Sequence, residues 1–252
     1  MKFLFRGDDL GYSEAINYGI EKCVKAGLLM NAGLMPNRPA ASHGVNLLKG
    51  TKACLWQHTN ICLGHPCADP KKIPSLLNEN GKFYGSRVYR EAWKEGKEFT
   101  VLEEMVTEVE AQYQRFVELT GCKPALIDAH GVRNHNLTQA IKITAQKHGV
   151  KYFFDGEATV GTDGGKDIYN CPMYSMRPGE YDPLQCLKDA VADAKADRIH
   201  VFICHPGYLD AEVFRCSSLT VNRTKEVEML CDPAVKKWVE QQGIQLTTYN
   251  DI

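Results

Sequence analysis

Short apolar runs of strand length alternate with amphipathic helical segments along the chain, and this alternation constrains the fold more than any other feature. The clearest strand candidates are Lys2–Phe5, Ala53–His58, Ala125–Asp128 and Arg198–Cys204. Segments between them, such as Glu14–Ala26, carry apolar residues at helical spacing. Strands separated by helices pair in parallel, because each helix is the crossover that a parallel pair requires. The sequence therefore predicts an α/β fold around a parallel sheet.

The number of strand candidates narrows the architecture further. Roughly seven or eight strands fit a (β/α) barrel, and a doubly wound open sheet is the alternative. No internal repeat or linker divides the chain, so we predict a single domain over residues 1–252. Residues 66–100 mix prolines, glycines and charges without a clean period. We interpret them as an insertion that acts as a lid, since long irregular segments in compact domains are often functional.

Charge and cysteine content argue against several classes of protein. The 30 basic and 31 acidic residues give a formal net charge of -1, which does not favour nucleic acid or an acidic membrane as a partner. The first apolar run spans only Phe3–Phe5, and no stretch reaches the ~20 apolar residues of a membrane span. The ten cysteines form no Cys-x-x-Cys pair. We expect reduced thiols in a cytoplasmic protein, with an oxidised, secreted protein as the alternative.

Four of the apolar runs end in ionisable or metal-ligand residues. They read FLFRGDD with Asp8 and Asp9, CLWQHTN with His58, ALIDAHG with Asp128 and His130, and VFICHPG with His205. Active sites of α/β folds collect at the carboxyl ends of the strands, so we expect these residues to share one pocket. Each also has a structural explanation when taken alone. An Asp can cap the next helix, and a buried His can be a hydrogen-bonded core residue.

One carboxylate and two imidazoles from separate strand ends match the ligand set of a divalent ion that keeps open positions for water. The candidates are Asp9, His58 and His130. Side chains alternate along a strand, so we expect Asp8 to point away from Asp9, toward substrate, as the general base. His205 is the candidate general acid for a departing amine.

The same segments resemble, in order, the motifs of the YdjC/ChbG-type carbohydrate deacetylases. The matching segments are RGDDLGYSEAINYGI, QHTNICLGHP, IPSLLNENGKFY, PALIDAHG, ICHPGYLD and NRTKEVEMLCDPAVKKWVEQQGIQLTTYNDI. The resemblance spans nearly the whole chain. It implies a distorted TIM-like barrel, a divalent metal such as magnesium or zinc, a homodimer, and hydrolysis of N-acetyl groups on amino sugars such as chitooligosaccharides. It also implies the same ligands and the same roles for Asp8 and His205.

The chain departs from that family at two places. Arg6-Gly7 stands where the family has Asn-Ala, and Gly131 opens a stretch that lacks the family's further histidine run. We predict substrate contacts for Arg6, for His65 directly before the insertion, and for His135.

Two other functions compete with the deacetylase. One is another metal-dependent barrel hydrolase or isomerase acting on a sugar. A phosphoesterase would carry an early His-x-His pair, which this sequence lacks, and an isomerase would need further carboxylates, for which Asp155 and Glu157 are candidates. The other is a non-catalytic carbohydrate-binding relative, which the departures at Arg6 and Gly131 motivate.

Overall fold

A computed structural model describes residues 1–154, 157–158, 167–172, 175 and 179–252. The N-terminal part contains β1 Lys2–Leu10, α1 Glu14–Ala26, β2 Asn31–Leu34, α2 Ala41–Leu48 and β3 Cys54–Thr59. The middle contains α3 Ser86–Lys94, α4 Leu102–Thr120, β4 Leu126–Ala129, α5 His135–His148, β5 Lys151–Phe154, β6 Glu157–Ala158 and β7 Asp167–Asn170. The C-terminal part contains α6 Pro183–Ala192, β8 Arg198–Cys204, α7 Ala211–Cys216, α8 Val221–Cys231, α9 Pro233–Gln241 and β9 Gln245–Leu246. Within these ranges no helix combines the length and the apolar character needed to cross a membrane.

The strands form one curled sheet. Their hydrogen-bonded order is β6-β5-β4-β3-β2-β1-β8-β7, and β9 also pairs with β1. Every pair is parallel except β5 with β6. Phe153 of β5 and Asn170 of β7, near opposite edges, line the same cavity as Arg6 of the central β1. The sheet is therefore a half-barrel, which confirms the predicted α/β barrel fold.

An apolar cluster fills the inside of the half-barrel. It includes Leu4 of β1, Trp56 of β3, Leu126 of β4 and Val201 of β8, with Tyr249 near the C-terminus. Trp56 and Tyr249 are fully buried, with ring centroids 5.3 Å apart. This cluster supports the polar side chains that lie further along the same strands.

The helix ends follow the sequence signals. The Ser13 hydroxyl accepts a hydrogen bond from the backbone N–H of Ile16, and Gly27 closes α1 with φ 96°. Asp232 likewise caps α9. The predicted bounds of α1 are confirmed.

Two strand predictions were wrong in extent. The sequence predicts that β1 stops at Phe5, but it runs to Leu10 because Arg6 and Gly7 still pair with Ile203 and Cys204 of β8. The sequence also predicts a last strand over residues 244–249, but only β9 forms there. There Thr248 bonds to Asp251 and turns the chain into a short 3₁₀ helix.

The segment 66–100 packs against the helices instead of lying free. Ile73, Leu76, Phe83 and Tyr89 are buried in one cluster with side chains of α4 and α5. The Glu108 carboxylate of α4 accepts the backbone N–H groups of residues 67 and 68 at 3.0 and 2.9 Å. The segment is thus a packed wall, and its role as a lid stays a prediction.

Candidate active site

Parallel register brings the candidate residues to one end of the half-barrel. His58 of β3 lies opposite Asp128 of β4, and Gly7 of β1 lies opposite Cys204 of β8. The candidate side chains therefore open into one cavity of about 1170 Å³. Its lining includes Asp8, Asp9, His58, His130 and His205. The predicted convergence of these residues is what the structure shows.

A bulge in β1 turns both acids toward the same imidazole. The β1–β2 register shifts between Gly7 and Leu10. Asp9, with φ 78°, is the only non-glycine residue among those described that has a positive φ. Holding a residue in such a strained backbone conformation costs roughly 1–3 kcal/mol, and residues of this kind cluster at functional sites. Asp8 Oδ2 and Asp9 Oδ1 lie 3.6 and 3.7 Å from His58 Nε2. The expectation that the two acids point apart was wrong, because the bulge breaks the alternation of the strand.

Asp9, His58 and His130 offer ligand atoms that all lie within 4.8 Å of one another. His130 Nδ1 is 3.0 Å from Asp9 Oδ1 and 3.2 Å from His58 Nε2. Asp9 Oδ1 is nevertheless buried without a hydrogen-bond partner, so its 3.0 Å contact with His130 is not a well-directed hydrogen bond. A buried, unsatisfied carboxylate oxygen facing two imidazole nitrogens fits a divalent cation.

Asp128 orients His58 for this role. Its Oδ1 accepts hydrogen bonds from His58 Nδ1 at 2.7 Å and from the Trp56 indole N–H at 2.9 Å. The Nδ1 proton of His58 is thereby held, and the lone pair of Nε2 faces the centre. Burial alone would lower the pKa of His58, but Asp128 and Asp8 raise it.

Arg6 is the counter-charge of two buried carboxylates, Asp8 and Asp128. Its Nε and Nη2 donate to the two oxygens of Asp8 at 2.7 and 2.8 Å, and Nη2 is 2.8 Å from Asp128 Oδ2. Burial would raise the pKa of Asp8, but the Arg6 guanidinium and His58 lower it. The sequence predicts a substrate contact for Arg6. The structure directs its guanidinium at Asp8 and Asp128, because these buried carboxylates need a counter-charge, and the substrate contact stays a prediction.

Arg223, from α8, holds the other acid. Its Nη2 donates to Asp9 Oδ2 at 2.7 Å, and its Nη1 donates to the carbonyl of His205 at 3.2 Å. Burial raises the pKa of Asp9, but Arg223 and His130 bring it well below the usual range. Sequence reasoning missed Arg223, since it follows no strand. Its only signal was the NRTKEVEML stretch in the resemblance.

His205 lies beside the base candidate. Its Nε2 is 3.9 Å from Asp8 Oδ2, and its backbone N–H donates to Glu226 Oε2 at 2.6 Å. Burial lowers the pKa of His205 to about 4, against the opposing influence of Asp8, so the imidazole is neutral near pH 7. Burial also raises the pKa of Glu226 to about 7, and Glu226 accepts a hydrogen bond from the Tyr181 hydroxyl at 2.7 Å.

The remaining candidates lie further out. His135 lines the cavity and packs against the Trp93 ring at 4.6 Å. His65 is exposed, with Nδ1 3.2 Å from the carbonyl of Gly81, and is not among the described lining residues. Asp155 lies outside the described residues, and for Glu157 only the backbone is described.

Comparison with known proteins gives matches along the whole chain. The sequence profile of the family described as YdjC-like protein matches residues 2–241. Carbohydrate deacetylase 2 of Listeria innocua serovar 6a is 29% identical over 256 residues, which cover 100% of this chain and 99% of that protein. Chitooligosaccharide deacetylase of Proteus mirabilis (strain HI4320) is 29% identical over 259 residues, covering 99% of this chain and 98% of that protein.

A solved structure shares the fold over a similar span. It is a protein of Enterococcus faecalis V583, provisionally described as a cellobiose-phosphate cleavage protein. The two superpose with a TM-score of 0.79 at 23% identity, covering 98% of this chain and 97% of the other.

Proposed function

The chain belongs to the YdjC-like protein family, and from that membership we propose that it is a metal-dependent hydrolase that removes N-acetyl groups from amino sugars or their oligosaccharides. Relatives that match it end to end are named carbohydrate deacetylase and chitooligosaccharide deacetylase. The observation that most supports this proposal is the cluster of Asp9, His58 and His130, in which a buried carboxylate oxygen has no hydrogen-bond partner.

These three side chains would hold the divalent ion. When bound, the ion supplies Lewis-acid polarisation of the acyl oxygen and a lowered pKa for the attacking water. Two imidazoles with one carboxylate suit zinc or a similar transition ion better than magnesium, which prefers an oxygen-rich shell. We therefore propose zinc ahead of magnesium.

Asp8 and His205 would move the proton. Asp8 is ionised beside Arg6, and each of its oxygens keeps a lone pair after the two hydrogen bonds from the guanidinium. Asp8 accepts the proton of the water that attacks the acyl carbon. His205, neutral in the resting site and 3.9 Å from Asp8 Oδ2, takes up that proton from Asp8 and passes it to the amide nitrogen as the C–N bond breaks. The products are acetate and the free amine.

The cellular compartment of the enzyme is a further proposal. All ten cysteines are free thiols, which favours a reducing, cytoplasmic compartment. The homodimer, a single domain over residues 1–252, and a substrate contact by His65 stay predictions. His135 is the better-supported substrate contact, since it lines the cavity.

The proposal is tested by acetate release from N-acetylated mono- and oligosaccharides. Purified protein is stripped with a chelator and reloaded with zinc or magnesium, and bound metal is counted by elemental analysis. We expect about one ion per chain, activity that disappears on stripping and returns on reloading, and neither binding nor activity in Asp9→Asn.

Asp210→Asn is the matched control, because Asp210 caps α7 and is not among the described residues lining the cavity. It should keep both metal and activity. Full acetate release by Asp9→Asn, or by stripped protein, would overturn the metal assignment. Tight metal binding without turnover of any acetylated sugar would favour the non-catalytic relative.

A further inference from the structure

The cavity continues outward from the metal centre between two helices. Arg90 and Trp93 line it from α3, three residues apart, and His135, Thr138 and Gln139 line it from the first turns of α5. These spacings place each set on one face of its helix. We call this region the outer arm, defined by these five residues.

The cavity is larger than one amino sugar requires. Its volume of about 1170 Å³ exceeds the roughly 300–1,000 Å³ of sites that enclose drug-sized ligands. An N-acetyl group at the metal centre would leave the outer arm for the neighbouring part of the substrate. The outer arm is therefore the place where a second linked sugar would bind.

Trp93 is the apolar feature of the outer arm. Its side chain is 39% exposed, although it belongs to a helix that is anchored to the core. The anchor is Tyr89, which is 1% exposed and packs against Phe99 with ring centroids 5.1 Å apart. The His135 ring lies 4.6 Å from the indole, tilted by 35°. The indole is thus presented to the cavity by a fixed helix and braced by a neighbouring ring.

A pyranose ring matches such a surface. The aromatic face carries partial negative charge, and the C–H bonds on one face of a pyranose carry partial positive charge. The hydroxyl groups at its rim need donors and acceptors, which Thr138 and Gln139 supply. A flat apolar surface with polar groups beside it is the pattern of a site that orients its ligand through a few polar contacts.

We propose that Trp93 is the aromatic platform of a second sugar subsite and determines how tightly the sugar bound there is held. This inference rests on the proposed deacetylase function and adds the residue that holds the neighbouring sugar. Trp93 binds the sugar next to the one that loses its acetyl group, and it does not take part in proton transfer.

The test compares an N-acetylated monosaccharide with a disaccharide of two β-linked N-acetylated amino sugars. Trp93→Ala should lower kcat/KM for the disaccharide at least ~10-fold, mainly through KM, because stacking is lost. It should change kcat/KM for the monosaccharide less than ~2-fold. Trp93→Phe should recover most of the disaccharide activity, since the ring is restored.

Val88→Ala is the control, because Val88 lies on the same helix, is 36% exposed and is not among the described lining residues. Equal losses on both sugars, or no loss on the disaccharide, would overturn the subsite. If the wild type releases acetate from neither sugar, the proposed function fails, and calorimetry then decides the subsite separately. Disaccharide binding that is weakened by Trp93→Ala supports it, and binding that is absent or unchanged overturns it.

Discussion

Arg223 Nη2 donates to Asp9 Oδ2 at 2.7 Å, although 214 positions separate the two residues in the chain. Both side chains are buried. The pairing ties α8 to the bulged end of β1 and selects Oδ1 as the carboxylate oxygen that remains for a cation. A helix outside the sheet therefore fixes the geometry of the candidate metal centre.

Replacing Arg223 should destabilise the metal-free protein. Arg223→Met leaves the Asp9 carboxylate buried without its counter-charge, so the free energy of unfolding should fall by about 3–5 kcal/mol. Adding zinc should restore part of the loss, because the cation supplies the missing positive charge. Urea unfolding with and without zinc measures both effects.

The exposed pair of Arg115 and Glu118 gives the control. Arg115→Met should change the free energy of unfolding by less than ~1 kcal/mol, since an exposed ion pair contributes little. A loss for Arg223→Met no larger than this would mean that the buried pair does not stabilise the site.

Removing the charge of Asp128 should weaken metal binding. In Asp128→Asn the oxygen that accepts the Trp56 and His58 hydrogen bonds loses its negative charge, and the amide N–H₂ faces the Arg6 guanidinium, so His58 is held less firmly with Nε2 free. Loss of such a partner typically lowers metal affinity 10–100-fold. Competition with a chromophoric chelator measures the dissociation constant, with the exposed Asp189→Asn on α6 as control. An unchanged constant in Asp128→Asn would show that Asp128 does not orient His58 for metal binding.

Much of this site could be predicted from strand ends. His58 and His130 follow apolar runs, and parallel register carries every such end to the same edge of the sheet. The candidate ligands Asp9, His58 and His130 were predicted from that rule and from ligand chemistry, and their binding of a metal stays a prediction. The fold then determines the distances among these three side chains.

Other parts of the site could not be read from local pattern. The bulge at Asp9 arises from pairing with β2, a neighbour that comes later in the chain. Arg223 and Glu226 lie on a helix, where buried charged residues look like surface residues in the sequence. The buried position of Arg6 depends on having Asp8 and Asp128 as partners at once, which only the tertiary structure supplies.

Loss of His205 should separate proton donation from metal binding. His205→Ala should keep its metal and lower kcat for amide hydrolysis by about 10²–10⁴-fold, the usual contribution of a general acid. An ester such as 4-nitrophenyl acetate has a leaving group that departs without protonation, so its hydrolysis should fall far less.

Asp8→Asn provides the contrast. A general base is needed whichever group leaves, so this variant should lose activity on the amide and the ester alike. If His205→Ala lost both activities equally, His205 would serve as a base or a structural residue and not as the acid.

A pH effect on stability is expected from Glu108, a buried residue of α4 that is not among the described residues lining the cavity. Burial raises its pKa from 4.5 to about 7, against the opposing effect of the backbone N–H groups of Ala68 and Cys67. Between pH 4.5 and 7 the native protein holds a proton at Glu108 that the unfolded chain has released. Native stability must therefore fall as pH rises through this window, by about 1.4 kcal/mol for each unit.

The comparison with Glu108→Gln isolates this group, because all other titrating residues are shared. Relative to that variant, wild-type protein should lose roughly 3 kcal/mol of unfolding free energy between pH 4.5 and 7 and no more above it. Urea unfolding across this range measures the difference, and Glu118→Gln, on the exposed face of the same helix, should track wild type. A difference between wild type and Glu108→Gln that stayed constant with pH would mean that Glu108 ionises normally despite its burial, and the carboxylate would then hold residues 67 and 68 as a full charge.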